Sequence, residues 1–343
     1  MLLAMPDRTV MQPPEAAAGA QLKLLNEYQR DFPLITRPFA RIARETGLDE
    51  HQVLTTLDEW RGNGTVSRVG PVFAPRRIGA STLAALKAPP RILDDIAEMV
   101  SMHAEVNHNY AREHEWNLWF VVTAPDAVSV ARVLRQIRRD TGCEVIALPL
   151  RSEYHIDLGF DLVHGHRTTA RAPRVPMRPV DMSVEQSRLL KALQGGLPLV
   201  SRPFASVAHR IGVSERTVLD QIKAWGDEGV IKRFGVVVRH HELGYRANAM
   251  CVWNVPDALV EAMGARLAGV ERVNLCYRRE RAGTEWPYNL YCMLHGKDRD
   301  EVRARWEQLR SDCGLRDYAS AVLFSTKRFK QCGAHYAREV AHA

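Results

Sequence analysis

Arg37-Pro38-Phe39-Ala40 recurs 165 residues later as Arg202-Pro203-Phe204-Ala205. The same spacing relates Gly47 to Gly212, Val53-Leu54 to Val218-Leu219, Trp60 to Trp225, and Gly79 to Gly244. Arg68-x-Gly70 likewise returns as Arg233-x-Gly235. Chance does not hold one offset across so many landmarks, so the chain is a tandem duplication. Around each copy of this stretch the signals are helical. Leu22, Leu25 and Tyr28 mark a first helix, and Phe39, Ile42 and Ala43 share one face of a second, which Gly47 ends. Asp49 then caps a third helix that buries Val53, Leu57 and Trp60. Three short helices with a glycine turn make a helix-turn-helix, and residues 65–74 alternate as a β wing does.

Beyond the wing, alternation returns at Ser81–Ala88, followed by a helical stretch at 91–101. Strand-like runs at 103–113 and 116–124, a helix at 126–140 and a strand at 143–155 complete a β-α-β-β-α-β order, which is ferredoxin-like. The second half repeats it with strands near 246–255, 270–279, 288–295 and 315–326. The fold class is therefore α+β, a tandem repeat of winged helix-turn-helix plus ferredoxin-like domain, and the order of elements resembles the Lrp/AsnC architecture. The expected divisions are a disordered tail at 1–20, a first helix-turn-helix at 21–79, and a first ferredoxin-like domain at 80–162. An Arg- and Pro-rich linker at 163–181 leads to a second helix-turn-helix at 182–244 and a second ferredoxin-like domain at 245–336. Lrp-like units pair through their sheets, so the fused halves are expected to form an internal pseudo-dimer, with a homodimer as a further expectation.

The 343 residues are 46% hydrophobic, enough for sizeable cores, yet no apolar run approaches the roughly 18 residues of a membrane span. The six cysteines contain no C-x-x-C pair, so zinc-ligand spacing is absent and reduced cytoplasmic thiols are expected. A formal charge of +7 points to an anionic partner without choosing its class. The architecture usually serves DNA-binding regulators, which is the rival reading. A recognition helix must face a dense row of phosphates. Here the third helix opens Asp49-Glu50-His51-Gln52 and closes Asp58-Glu59-Trp60-Arg61, and its counterpart sets Glu215, Asp220, Asp227 and Glu228 against Arg216 and Lys223. Both carry the wrong sign, so no DNA partner is expected.

The chemistry collects elsewhere. In Val106-Asn107-His108-Asn109-Tyr110-Ala111-Arg112-Glu113-His114, alternate residues of a strand share a face, so His108, Tyr110, Arg112 and His114 point one way. Tyr154-His155-Ile156-Asp157 ends the fourth strand. In the second half Tyr277 and Arg279 retain Tyr110 and Arg112, whereas His108 becomes Leu275, His114 becomes Arg281, and Thr326-Lys327-Arg328 replaces Glu153-Tyr154-His155. One copy keeps proton-transfer residues and the other keeps cations, the mark of two sites that have diverged.

Asn107-His108-Asn109-Tyr110, Arg112-Glu113-His114, Asn117-Leu118-Trp119-Phe120 and Tyr154-His155-Ile156-Asp157-Leu158-Gly159-Phe160 resemble the signature strands of siroheme decarboxylases. Leu275-Cys276-Tyr277-Arg278-Arg279 and Trp286-Pro287-Tyr288-Asn289-Leu290 resemble the partner subunit type. The resemblance covers roughly residues 20–336. It implies a macrocyclic substrate with eight carboxylates, siroheme, whose C12 and C18 acetates become methyls with loss of two CO₂ on the way to heme d1 or an alternative heme. It also implies carboxylate contacts from Arg112, Arg279, Arg281, Arg328 and Lys327, with Arg68 and Arg233 of the wings as weaker candidates. Tyr110, Trp119 and Tyr277 would pack on the ring or its carboxyl groups. His108 and His155 are the expected acid/base residues, Tyr110 orients and His114 assists. The residues leave open whether one of the histidines ligates the substrate iron instead. No cofactor is expected, because the macrocycle holds the developing charge and the iron belongs to the substrate.

Overall fold

The computed structural model describes residues 15–156, 179–238, 247–270, 273 and 275–333. The first repeat runs α1 (Glu15–Glu27), α2 (Pro38–Thr46), α3 (Glu50–Asn63), β1 (Val66–Phe73), α4 (Pro75–Ile78), β2 (Ala80–Leu86), α5 (Leu93–Met102), β3 (Val106–Arg112), β4 (Leu118–Ala124), α6 (Ala127–Thr141) and β5 (Val145–Ile156). The second runs α7 (Val184–Gln194), α8 (Pro203–Ile211), α9 (Glu215–Asp227), β6 (Ile231–Val238), β7 (Ala247–Trp253), α10 (Val260–Gly269), β8 (Leu275–Arg279), β9 (Leu290–Gly296), α11 (Arg299–Asp312) and β10 (Ser320–Gln331). The tail expected at 1–20 is partly helical, since α1 begins at Glu15, and most of the linker lies outside the described residues.

Local chemistry explains the helical termini. Pro38 and Pro203 open α2 and α8, where a missing N–H costs nothing, and Gly47 and Gly212 close them, each at φ 76°. Asp49 and Gln52 form a reciprocal capping box at α3, the Gln52 amide N–H donating to Asp49 Oδ1 at 2.7 Å. Leu25 and Tyr28 are buried as expected, but Leu24 takes the place of Leu22, which is exposed. The acidic first turns of α3 and α9 are engaged within the chain. Arg37 donates to Glu50 at 2.5 Å and Arg202 to Glu215 at 2.6 Å, each tying the start of one helix to the next.

The two wings pair with each other. β1 runs antiparallel to β6 with Gly70 opposite Gly235, and each wing leans on the other repeat's helices. The Val236 N–H donates to Tyr28 O, and the Leu197 N–H to Val69 O, both at 2.7 Å. Gly235 makes this approach possible, because a Cβ there would lie 2.3 Å from the Tyr28 carbonyl oxygen. Gly235→Ala is therefore expected to destabilise the fold by about 1–3 kcal/mol, the usual cost of overpacking. A urea midpoint equal to that of the wild type would show that the wings do not need this contact.

The ferredoxin-like sheets join in the same reciprocal way. Eight strands close into a barrel in the order β10-β3-β4-β2-β5-β8-β9-β7, with β7 returning to β10. The cause is the length of β5 and β10, twelve residues each, which lets each strand pair first in its own sheet and then with the other repeat. This is the expected internal pseudo-dimer, and closure leaves no open edge for a further copy to extend. α5 and α6 cover one half from outside, α10 and α11 the other. Trp119, Trp286, Tyr277, Tyr291, Met250 and Leu323 fill the interior, so the barrel is a packed core.

Candidate active site at the wing-covered end of the barrel

Strand direction decides what meets at each end. The start of β3 pairs with the end of β10, Gln331 opposite His108, and the end of β5 pairs with the start of β8, Ile156 opposite Leu275. Both seams lie at the end where β4 finishes and β2 begins, on opposite sides of the barrel. The wings sit over this end. Lys232 of β6 reaches Glu153 of β5 at 2.5 Å, and a side chain at Gly333 would come within 3.2 Å of the Arg68 guanidinium of β1.

The β10–β3 seam gathers the polar inner face expected of β3. The rings of His108 and Tyr110 lie 6.4 Å apart and nearly parallel, and the Arg112 guanidinium lies 5.8 Å over Tyr110. Register places Arg328 opposite Tyr110, and both reach Gln331 Oε1, the Tyr110 hydroxyl donating at 3.0 Å and Arg328 Nη1 at 3.3 Å. The site is thus shared between the repeats. Gln331 and Asn107 were not singled out in the sequence, since neither carries charge.

His108 is held in one tautomer. Asn107 Nδ2 donates to Thr123 Oγ1 at 3.2 Å, so Asn107 Oδ1 is the acceptor for His108 Nδ1, 3.1 Å away. Nε2 is then the position that gains or loses the exchangeable proton. Burial, aided by the nearby Arg68, pushes the His108 pKa down to about 4. Arg112 is 8% exposed, and burial presses it below its ordinary value. It donates to Leu323 O at 3.0 Å, and among the described residues no carboxylate lies within 4 Å of it. A buried guanidinium without an acid is costly for a folded chain and suits an anion that arrives from outside.

The remaining candidates are distributed differently. Tyr277 and Arg279 lie on the inner face of the β5–β8 seam, with Arg279 4.6 Å over Tyr277. Lys327 stands opposite Ala111 on the outer face, where it pairs with Asp94 of α5 at 2.7 Å. Arg281 is committed to Asp257 at 2.9 Å, Asn254 and the Val255 carbonyl. His114 lies toward the other end of the barrel, 5.2 Å from Trp286, while Trp119 stands opposite Tyr110 on β4 and packs 4.8 Å from Trp286 in the interior. His114 Nδ1 accepts from the Trp116 N–H at 3.1 Å, and burial lowers its pKa.

His155 is at the same barrel end as His108 but across it. Bulges in β5 set its register opposite Cys276, whose thiol meets the Gly264 carbonyl of α10, so the ladder places His155 on the α10 side. Tyr154, the extra residue of the bulge, also turns that way, its hydroxyl donating to Val260 O at 3.2 Å. The registers also correct the expected alignment of the fourth strands. Arg328 is the counterpart of Glu153 and Lys330 that of His155.

Family models match both layers of the chain. The AsnC-like ligand binding domain matches residues 77–155 and 242–330, and the siroheme decarboxylase NirDL-like HTH domain matches 21–66 and 186–232. A siroheme decarboxylase NirDL subunit of Paracoccus denitrificans (strain Pd 1222) is 42% identical over 323 residues, 93% of this chain and 98% of that one. The chain belongs to the siroheme decarboxylase NirDL family. Its architecture matches the crystal structure of the siroheme decarboxylase NirDL with a TM-score of 0.68 and 30% identity, over 92% of this chain and 94% of that one. A second NirDL crystal structure, in co-complex with an iron-uroporphyrin III analogue, matches with a TM-score of 0.67 and 29% identity, over 94% and 95%. No described helix is long and apolar enough to cross a membrane.

Proposed function

We propose that this chain decarboxylates siroheme, converting the C12 and C18 acetates to methyls and releasing two CO₂ per macrocycle. The observation that carries this reading is the buried Arg112 guanidinium, without an acid among the described residues, on one strand face with His108 and Tyr110. Arg112 and Arg328 would hold side-chain carboxylates of the macrocycle, with Arg68 closing from the wing. A charge-assisted bond of this kind contributes about 1.5–3 kcal/mol.

In each step the bond between the acetate methylene and its carboxyl carbon breaks. The carboxyl leaves as CO₂, and the electron pair stays on the methylene, conjugated with the ring. One proton then makes the methyl group. No electrons enter or leave, so the balance needs no oxidant or reductant. His108 Nε2 is the proton position this geometry supports best. Tyr110, fixed by Gln331, orients the reacting group. His155, across the same barrel end, faces α10 and has no part in the proton transfer of this reading. His155→Ala is expected to keep both macrocycle uptake and turnover within about twofold; a loss of turnover with uptake kept would return His155 to the mechanism.

The decisive experiment incubates the protein with siroheme under reducing, oxygen-free conditions and follows product mass. Loss of two CO₂ is expected, and an unchanged mass would sink the reading. Six unbonded cysteines fit a cytoplasmic setting.

A further inference from the structure

The β5–β8 seam is the counterpart of the β10–β3 seam, and matching registers pair their residues. Arg279 corresponds to Arg112, Tyr277 to Tyr110, Leu275 to His108, and Glu153 to Arg328. The second seam does not lack cations. Arg279 donates to Leu148 O at 2.8 Å and lies over Tyr277, repeating the way Arg112 donates to Leu323 O over Tyr110. Arg76 of α4 arrives beside it, donating to Arg151 O at 3.3 Å, and Lys232 comes from the wing. Burial first, and then Arg279, lower the Arg76 pKa, while Glu153 opposes them. Three elements thus bring cations to one place, and the acid that answers them at 2.5 Å from Lys232 is the chain's own Glu153.

Building on the decarboxylase reading, we propose that Glu153 stands in for a substrate carboxylate at this second seam and so restricts each chain to one macrocycle. Three observations support it. Glu153 occupies the register position that Arg328 holds at the first seam, so the one change replaces a carboxylate binder with a carboxylate. Its partner Lys232 is the cation at the mouth, each side chain about one quarter exposed, at 26% and 24%. An arriving carboxylate would meet a fixed negative charge and find that lysine engaged. Leu275 in place of His108 leaves the inner face of this seam without an imidazole, since His155 turns to the α10 side, so a macrocycle lodged there would not react.

The test is a Soret titration of the full chain with iron-uroporphyrin III, with thermal unfolding as a check that each variant is folded. The wild type is expected to take up one equivalent and Glu153→Gln two, the amide keeping the size and removing the charge. Lys232→Met, which breaks the ion pair but keeps the carboxylate, is expected to stay at one. Arg328→Glu, installing the same acid at the first seam, is expected to lose the wild-type equivalent. A single equivalent in folded Glu153→Gln, or two in the wild type, overturns the proposal while leaving the decarboxylase reading intact. No uptake by the wild type overturns both.

Discussion

Glutamine at position 108 is expected to slow siroheme turnover by about 10²–10⁴-fold, the span that a positioned general acid contributes. Macrocycle uptake, followed in the Soret band, should change little, because the anchoring charge is on arginine. The reasoning starts from the ligand-free chain, where burial holds His108 neutral at pH 7, with a pKa of about 4. A macrocycle bearing carboxylates brings negative charge to the site, which favours the imidazolium. Binding should therefore draw a proton from solution. Calorimetry in two buffers of different ionisation enthalpy measures that uptake, and His108→Gln should lose it. Binding by the wild type without proton uptake would count against His108 as the donor.

The same shift has a consequence for stability. The folded pKa lies below the ordinary value of 6.5, so the native state favours the neutral ring. That contribution is fully present above about pH 6.5 and is lost as pH falls toward 4. The denaturation midpoint of His108→Gln should accordingly fall less steeply than that of the wild type across this interval.

Methionine at position 112 is expected to move stability and affinity in opposite directions. Arg112 places a guanidinium in the interior beside tyrosines and carbonyls, with no acid within 4 Å among the described residues. Replacing such a charge with an apolar side chain of similar reach is neutral or stabilising in the empty protein. The bound macrocycle, however, would lose a charge-assisted contact worth about 1.5–3 kcal/mol, a roughly 10- to 100-fold weaker Kd. Urea unfolding and Soret titration read the two effects separately. A large loss of stability with unchanged affinity would make Arg112 a structural strut for the Leu323 carbonyl instead.

Much of this organisation is legible before any fold is known. The repeated Arg-Pro-Phe-Ala stretch, the glycine stops and the Asp49 cap act over a few residues, and α2, α3, α8 and α9 form where those signals lie. The polar inner face of His108, Tyr110 and Arg112 follows from alternation on one strand, because β3 has no irregularity between them. The reading weakens where a strand is bulged. Lys327 and His155 were chosen from residue type and the resemblance, but one extra residue inverts every side chain beyond it, and the bulges turn both away from the inner face. Arg281 was read as a ligand cation from its charge alone, but Asp257, distant in sequence, holds it. His114 shared a face with the site on paper, yet it sits along the barrel from His108 at about 3.3 Å per residue and packs against Trp286, whereas Trp119 stands opposite Tyr110 as part of the packed interior.

The sequence by itself therefore determined the duplication, the type of each unit and the shared face of His108, Tyr110 and Arg112 on β3, because helix capping, glycine turns and strand alternation are local forces. Only the tertiary structure showed how Arg328 and Gln331 of one repeat come opposite Tyr110 and His108 of the other. Twelve-residue strands reach across to close a common barrel, and the bulges within them choose which side chains face inward. That choice depends on pairing between residues more than 100 positions apart, and no short-range pattern encodes it.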